Sequence, residues 1–382
     1  MQSQDTARPT LATPKKVFVG LSGGVDSATS AALLKEAGFD VTGVFIKVWQ
    51  PDWIECTWRE DRQDAMRVAA HLGIPFVTLD LEKEYKKEVI DYMIAEYKAG
   101  RTPNPDVMCN QHVKFGAFYE WAMKEGADFV ATGHYARIDT NDTKMRIITN
   151  NTNGANGPYI LCAGKDSNKD QSYFLWTLKQ EQLGHVLFPV GNIEKPEVRK
   201  LAEKYKLPNA AKKDSQGLCF IGKVDVKEFL SHYVESENGR VLDANGKVIG
   251  HHPGALFFTI GERHGFTITD KTPNDLPYFV TSKGVRTNTI TVGTKMDGSI
   301  STNEKISTRL SNINWIGDVP VIGKSLKARS RYRQPLQDME ITSLNASHAE
   351  VRFKKLQDTL TPGQSLVIYD GEICVGGGVI EE

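Results

Sequence analysis

The sequence predicts an α/β chain that opens with a doubly wound parallel sheet, continues into a smaller α+β region and closes with an antiparallel β-barrel. Three observations predict it. From Val17 to about Ile221, short β-branched runs alternate with amphipathic helical runs, the texture of parallel strands joined by crossover helices. After Val224 the crossover helices stop, and short strands punctuated by Asn238-Gly239, Asn245-Gly246 and Asp297-Gly298 take over. Last, the segments Lys305 to Trp315, Lys324 to Arg333, Gln337 to Ser343, His348 to Lys354 and Ser365 to Tyr369 are spaced like strands of a small barrel.

Within the first region, strands are expected at Val17 to Gly20, Val41 to Ile46, Phe76 to Asp80 and Phe129 to Thr132. Helical periodicity lies between them at Ser27 to Ala37, Arg59 to Leu72, Lys83 to Ala99 and His112 to Glu125. Gly38, Gly73, Gly100 and Gly126 follow as C-caps. Asn141 to Gly157, rich in Asn, Thr and Gly, reads as a hairpin tip inside this domain. Helical patterns return at Gln171 to Leu178, Lys195 to Tyr205 and, past the change of texture, Val226 to Val234.

A chain of 382 residues exceeds what one core usually serves, so two or three domains are expected. Lys and Arg number 47 and Asp and Glu number 47, so an anionic partner has to be held by local basic patches and not by the overall field. No run of about eighteen apolar residues exists to span a membrane, and the polar start lacks the apolar core of a secretory signal, so a cytoplasmic location is expected. The 5 cysteines, Cys56, Cys109, Cys162, Cys219 and Cys374, are widely spaced and give neither a disulfide framework nor a zinc spacing. No protein metal-ligand set is expected.

The chemistry-bearing motif is Ser22-Gly23-Gly24-Val25-Asp26-Ser27, set between an apolar strand and a helix. Glycines let the backbone approach a ligand, and the helix N-terminus that follows offers N–H groups to an anion. The Walker spacing fails because no lysine stands where it would reach the outer phosphates, and the dinucleotide fingerprint fails too. Ligands of such sheets bind beyond the C-terminal strand ends, where this loop, Ile46-Lys47 and Gly133-His134 emerge.

Asn104-Pro105-Asp106-Val107-Met108-Cys109-Asn110 is read as a loop because of its prolines, with Asp106 three residues before the Cys109 thiol. An acid there suits proton transfer beside a nucleophilic sulfur, whereas a lone cysteine more often packs as a small hydrophobe. Cys219 stands in a second glycine-bearing polar loop, with Lys212 and Lys213 placed to favour its thiolate. Spacing alone does not bring Cys109 and Cys219 together. Cys56, Cys162 and Cys374 read as packing residues. His134 reads as a positioning group, and Asp170 as the N-cap of a helix starting in Lys169-Asp170-Gln171. Alternation along one strand puts Lys327, Arg329, Arg331 and Arg333 on one basic face, with Tyr332 and Trp315 as stacking surfaces for unpaired bases.

Taken together, SGGVDS, FIKVW, GRTPNPDVMCN, ATGHYARI, KDQSYFL, KKDSQGLCFIG, TIGERHGF, RYRQ, TPGQ and the closing GGGVI closely resemble the tRNA-specific 2-thiouridylase family of PP-loop ATP pyrophosphatases, in that family's order, from about Lys16 to Ile380. The resemblance implies a PP-loop catalytic domain over 15–223, a central tRNA-contacting domain over 224–302 and a C-terminal barrel over 303–382. It implies ATP-dependent 2-thiolation of the wobble uridine in tRNAs for Lys, Glu and Gln, with Mg²⁺ on the ATP phosphates. Sulfur would come from a relay protein fed by a cysteine desulfurase. It places Gly20, Leu21, Ser22, Gly23, Gly24, Val25, Asp26, Ser27, Ile46 and Gly133 on ATP, and Asn104, Pro105 and Asp106 on the target base. Asp106 becomes the general acid or base, Cys219 the persulfide carrier and Cys109 the nucleophile, with a transient Cys109–Cys219 disulfide. His134, Lys169, Asp170, Gln171, Arg331, Tyr332 and Gln364 match positions that touch tRNA. The chain departs from the pattern at Ala28, at Glu262, where a neutral amide is usual, and in Trp49 to Trp58, which lacks an acidic run. Two other readings are a PP-loop enzyme acting on a different base, which has no need of both thiols, and an RNA-binding protein that uses ATP only as a clamp.

Overall fold

The computed structural model describes residues 14–54, 58–140, 159–214, 226–269, 276–294, 305–357 and 360–381. Its first seven strands are β1 (Lys16–Gly20), β2 (Asp40–Lys47), β3 (Phe76–Asp80), β4 (Phe129–Ala131), β5 (Ala136–Thr140), β6 (Tyr159–Ala163) and β7 (Val186–Leu187). Five of them make a wholly parallel sheet in the order β3-β2-β1-β4-β7. Val17 and Val19 of β1 and Val44 of β2 are inaccessible to solvent, and consecutive residues of β1 are buried, as expected where helices cover both faces. The four strands read from periodicity are present, and their glycine C-caps Gly38, Gly73, Gly100 and Gly126 all have positive φ. The two-residue β7 was not expected, being too short to leave a pattern.

The helices of this unit are α1 (Val25–Glu36), α2 (Trp58–Leu72), α3 (Glu82–Tyr85), α4 (Tyr92–Lys98), α5 (Pro105–Met108), α6 (Phe118–Lys124), α7 (Gln180–Leu183) and α8 (Lys195–Lys204). A π-helical stretch, Lys86–Asp91, joins α3 to α4, and a second, Cys109–Ala117, joins α5 to α6. The second run corrects the sequence reading: Asp106 to Asn110 is helix, not loop. Proline is compatible with a helix at its first turn, where its missing N–H has no intrahelical acceptor, and Pro105 occupies that position. The helix expected over Gln171 to Leu178 shrinks to one 3₁₀ turn, Ser172–Leu175.

After α9 (Val226–Ser231), strands β8 (Gly239–Leu242), β9 (Val248–His252), β10 (Thr267–Ile268), β11 (Tyr278–Gly284) and β12 (Thr289–Thr294) form a second sheet in the order β10-β9-β8-β12-β11. Six further strands, β13 (Lys305–Trp315), β14 (Ser325–Arg329), β15 (Gln337–Leu344), β16 (His348–Gln357), β17 (Ser365–Asp370) and β18 (Ile373–Ile380), run antiparallel in the order β13-β16-β15-β14-β17-β18. Pairing of β13 with β18 closes them into a barrel. The hairpin β5–β6 extends this sheet through β6 and β18, tying the first unit to the barrel. The segment Asn141 to Gly157, read as that hairpin's tip, lies outside the described residues.

The basic strand also needs correction. β14 ends at Arg329, which is buried. Lys327 points to solvent near Asp338, and Arg333 sits at φ +64 in a turn. The four cations therefore do not share a face.

Two apolar clusters cross the unit boundaries. One joins Phe18, Ile46, Cys109, Val113 and Phe118 to Phe229, Phe258 and Val292 of the middle sheet region. The other joins Val107, Phe115, Tyr173 and Trp176 to Val367, Tyr369 and Cys374 of the barrel. The helix running from Pro105 contributes to both, so it lies where all three units meet.

Candidate active site

Between β1 and α1 the chain must turn from a buried strand into a buried helix within four residues. Gly23 does so at φ +77, and a Cβ there would collide with the Asp61 backbone, so glycine is required on two counts. Gly24 caps α1 in an extended conformation with no side-chain hydrogen bond at the cap, leaving the helix end open to an anion. Ser27 Oγ accepts from Ser22 N at 3.2 Å, lies 3.3 Å from Ser22 Oγ and donates to Gly24 O at 3.1 Å, which holds the loop in a tight arc. A Cβ on Gly133 would come within 2.7 Å of Ser27 N, so the exit of β4 presses against the first turn of α1. Leu21 and Ile46 are buried and Ser22 is exposed.

Asp26, on the first turn of α1, anchors a charge network. Its carboxylate accepts from Lys195 Nζ at 2.7 and 2.9 Å and from the Tyr135 hydroxyl at 2.8 Å. Lys195 also reaches Asp214 at 2.8 Å, and Asp214 takes Lys169 at 2.6 Å and Arg199 at 2.7 Å. Burial alone would raise the Asp214 carboxyl, but hydrogen bonds from Lys169 and Lys195, with their charges, outweigh it and hold the group at about 2. Asn209 Nδ2 donates to Gly23 O at 2.9 Å, fastening the loop from behind. Lys212, expected to favour the Cys219 thiolate, instead pairs with Asp61 and Asp64 at 2.7 Å each. Cys219 and Cys56 lie outside the described residues.

Asn104 caps α5, its side chain accepting from Val107 N at 3.2 Å. Asp106 follows on the first turn, partly exposed. Cys109 N donates to Asp106 O, which puts the acid and the thiol one turn apart on one helix. Cys109 is fully buried, in the same apolar cluster as Ile46. Cys162 and Cys374 are buried, as expected, and burial pushes their thiols up to about 11 and about 12.

The barrel folds residues around this helix. Gln364 Nε2 donates to Thr102 O at 2.9 Å and Pro103 O at 3.1 Å, just ahead of Asn104. The Tyr332 ring packs against Phe174 at a 47° tilt with ring centroids 4.7 Å apart, and its hydroxyl lies 3.5 Å from Lys169 O. Arg331 Nη2 donates to Ile260 O at 2.8 Å, bridging barrel and middle unit. Gln171 Oε1 accepts from Tyr135 N at 3.0 Å. Asp170 is not a helix N-cap. It is buried, accepts from Gly164 N and Ser172 N at 3.0 Å each, and forms an ion pair with buried Arg329. His134 is buried between Phe115 and Phe188, with Nδ1 2.7 Å from Thr132 Oγ1. Burial, with the Lys114 charge adding to it, pushes its imidazole well below the usual range, so it is neutral. Glu262 accepts from Thr259 N at 3.0 Å and forms an ion pair with Lys227.

Sequence reasoning gave no role to Lys195, Tyr135 or Asp214, and read Arg329 as part of an RNA-facing strand where it is the buried partner of Asp170. One local signal marked Lys195: it opens α8, where a positive charge opposes the helix dipole. The others depend on pairings across the chain.

Over residues 15–223 the chain matches the family described as tRNA methyl transferase HUP domain, over 227–294 the tRNA methyl transferase PRC-barrel domain and over 306–380 the Aminomethyltransferase beta-barrel domain. It is 44% identical over 371 residues to tRNA-specific 2-thiouridylase MnmA 2 of Geobacillus kaustophilus (strain HTA426), covering 96% of this chain and 95% of that protein. It is 45% identical over 374 residues to tRNA-specific 2-thiouridylase MnmA of Lysinibacillus sphaericus (strain C3-41), covering 96% and 94%. Among solved structures it is similar to the U34-tRNA thiolase NcsA from Methanococcus maripaludis, at 18% identity over 59% of this chain and 66% of that one, with a TM-score of 0.34. The full-length identity to these relatives establishes that the chain belongs to the tRNA-specific 2-thiouridylase family.

Proposed function

We propose that this protein is a tRNA sulfurtransferase that replaces the 2-oxygen of the wobble uridine with sulfur at the expense of ATP, acting on tRNAs for Lys, Glu and Gln. The observation that carries the reading is the placement of Asp106 and Cys109 on one helical turn where three units meet, in a sheet whose phosphate loop ends in an uncapped helix. In this reading the loop from Gly20 to Ser27, with Ile46 and Gly133, holds ATP. Asn104, Pro105 and Asp106 hold the uridine. Its 2-oxygen attacks the α-phosphate, pyrophosphate leaves, and the oxygen becomes part of a good leaving group. Asp106 carries the proton. The terminal sulfur of a Cys219 persulfide attacks C2, AMP departs with the oxygen, and the Cys109 thiolate attacks the inner sulfur of Cys219. That last step frees the thiolated base and leaves a Cys109–Cys219 disulfide for cellular thiols to reduce. Burial of Cys109 means that tRNA engagement must open a path to it.

Among the described residues no three His, Cys, Asp or Glu side chains are arranged to hold a metal ion. Mg²⁺ brought in with ATP would be held by Asp26 and would neutralise phosphate charge. Lys169, Gln171, Arg331, Tyr332 and Gln364 form the RNA-facing set, while buried His134 and Asp170 shape it from beneath. A sulfur-relay protein supplies the persulfide. No helix among the described residues is long and apolar enough to cross a membrane.

The test uses α-labelled ATP, a persulfide donor that loads Cys219 and unmodified tRNA for Lys. AMP and pyrophosphate should form only with tRNA present. Asp106→Asn should slow this by roughly 10²–10⁴-fold. Cys219→Ser should still make AMP while making no 2-thiouridine. In the wild type, release of ADP instead of AMP, or AMP release with no sulfur entering the wobble uridine, would overturn the proposal.

A further inference from the structure

We infer that Lys195 is a catalytic cation of the nucleotide site, delivered from α8 to the β- and γ-phosphates of ATP; the inference rests on the ATP reading of the α1 loop. The loop itself carries no lysine, in contrast to loops with Walker spacing. The fold supplies one from a distant part of the chain. Lys195 Nζ lies 2.7 Å from Asp26 Oδ1 and 2.9 Å from Oδ2, against the first turn of the helix whose N-terminus is open.

Three features point to a ligand-directed role. Lys195 stands at the start of α8, where its charge opposes the helix dipole, so local helix stability does not account for it. Its backbone N–H is tied to Asp166 Oδ2 at 3.0 Å, which fixes the stem from which the side chain reaches the loop. The side chain is only 11% exposed, so its charge acts with little screening by water. The ammonium now spends its donors on Asp26 and Asp214. An incoming polyphosphate competes for the same donors with a higher charge, and Lys195 exchanges Asp26 for phosphate oxygens while Asp214 keeps it in place. Asp26 is then released to a cation that accompanies the nucleotide. Lys195 so placed also stabilises the charge that builds on departing pyrophosphate.

Binding of α,β-methylene-ATP and of AMP to the full chain, measured calorimetrically with Mg²⁺ present, tests this in wild type, Lys195→Gln and Lys195→Arg. Wild type should bind the triphosphate more tightly than AMP. Lys195→Gln should weaken the triphosphate at least about tenfold and leave AMP within about twofold, with Lys195→Arg restoring most of the loss. Equal loss of both nucleotides, or no loss of either, would show that the lysine only holds Asp26 and Asp214, and would overturn the inference alone. If Lys195→Gln does not fold, Asp214→Asn decides. Because Asp214 keeps Lys195 in place, a selective fall in triphosphate affinity with AMP unchanged supports a phosphate-directed lysine, and a parallel fall for both nucleotides, or no fall in either, contradicts it. A wild-type protein that binds neither nucleotide would overturn the ATP reading itself, and this inference with it.

Discussion

Lys283 in β11 donates to Phe258 O at 2.9 Å, and burial lowers its amine to about 8 against the opposing pull of Glu262. The unfolded chain holds that proton up to the ordinary lysine range, near 10.5. Between about 8 and 10.5 the unfolded state therefore binds more protons than the native state, and this residue makes stability rise with pH across that window. Lys283→Met should flatten the rise, read as the difference in denaturation midpoint between pH 8 and pH 10 for variant and wild type; an unchanged difference would refute the burial argument. Residues of this kind separate what a sequence discloses from what it hides. The loop from Ser22 to Ser27 was legible because strand, glycines, hydroxyls and helix are contiguous. The partners of Asp26 were not, since Tyr135 and Lys195 reach it from more than a hundred residues away. Burial of His134 and Asp170 was hidden for the same reason, as each is enclosed by elements distant in sequence.

Among the elements, β18 is the instructive miss. Gly376, Gly377 and Gly378 weaken any strand pattern, yet they form the strand that closes the barrel. Glycine is needed because neighbouring backbones press in: Cβ atoms on Gly376 and Gly377 would collide with the carbonyls of Asn314 and Leu366. Gly376 is also at φ +139. Gly376→Ala should cost more than about 3 kcal/mol, combining backbone strain with a clash that cannot relax. Gly371→Ala, at φ +61 with nothing near its Cβ, should cost about 1 kcal/mol. Urea denaturation checks the pair, and equal costs would contradict the crowding argument. The segment from Pro105 teaches the reverse lesson. Its prolines read as loop, but Asn104 as cap and Pro105 at the first turn are themselves helix-start signals, and the sequence reading underweighted them.

Taken as one body, the protein is held together around the helix that carries Asp106 and Cys109. Parallel sheet and barrel were both legible from period and spacing. The union of β5–β6 with the barrel was not, because it rests on long-range contacts, the pairing of Ile373 with Cys162, the hydrogen bond from Ala163 N to Glu372 O and the Arg137–Glu372 ion pair. The buried Asp170–Arg329 pair locks the same junction, and Arg329 also donates to Tyr369 Oη at 2.8 Å. Arg329→Met leaves a buried carboxylate uncompensated and should cost about 3–5 kcal/mol, with the barrel released first in limited proteolysis. Adding Asp170→Leu should recover only part of that, since Gly164 N and Ser172 N then lose their acceptor.

The account as a whole rests on ATP-driven sulfur transfer to a wobble uridine. Its most direct test is mass spectrometry of nucleosides from unmodified tRNA for Lys after incubation with the full chain, Mg-ATP and a persulfide donor, with AMP quantified in the same reaction. The account predicts 2-thiouridine at the wobble position, absent without ATP and matched by at least as much AMP. Unmodified uridine from a protein that binds the tRNA and ATP but releases no AMP would contradict it, and would leave ATP as a clamp on RNA.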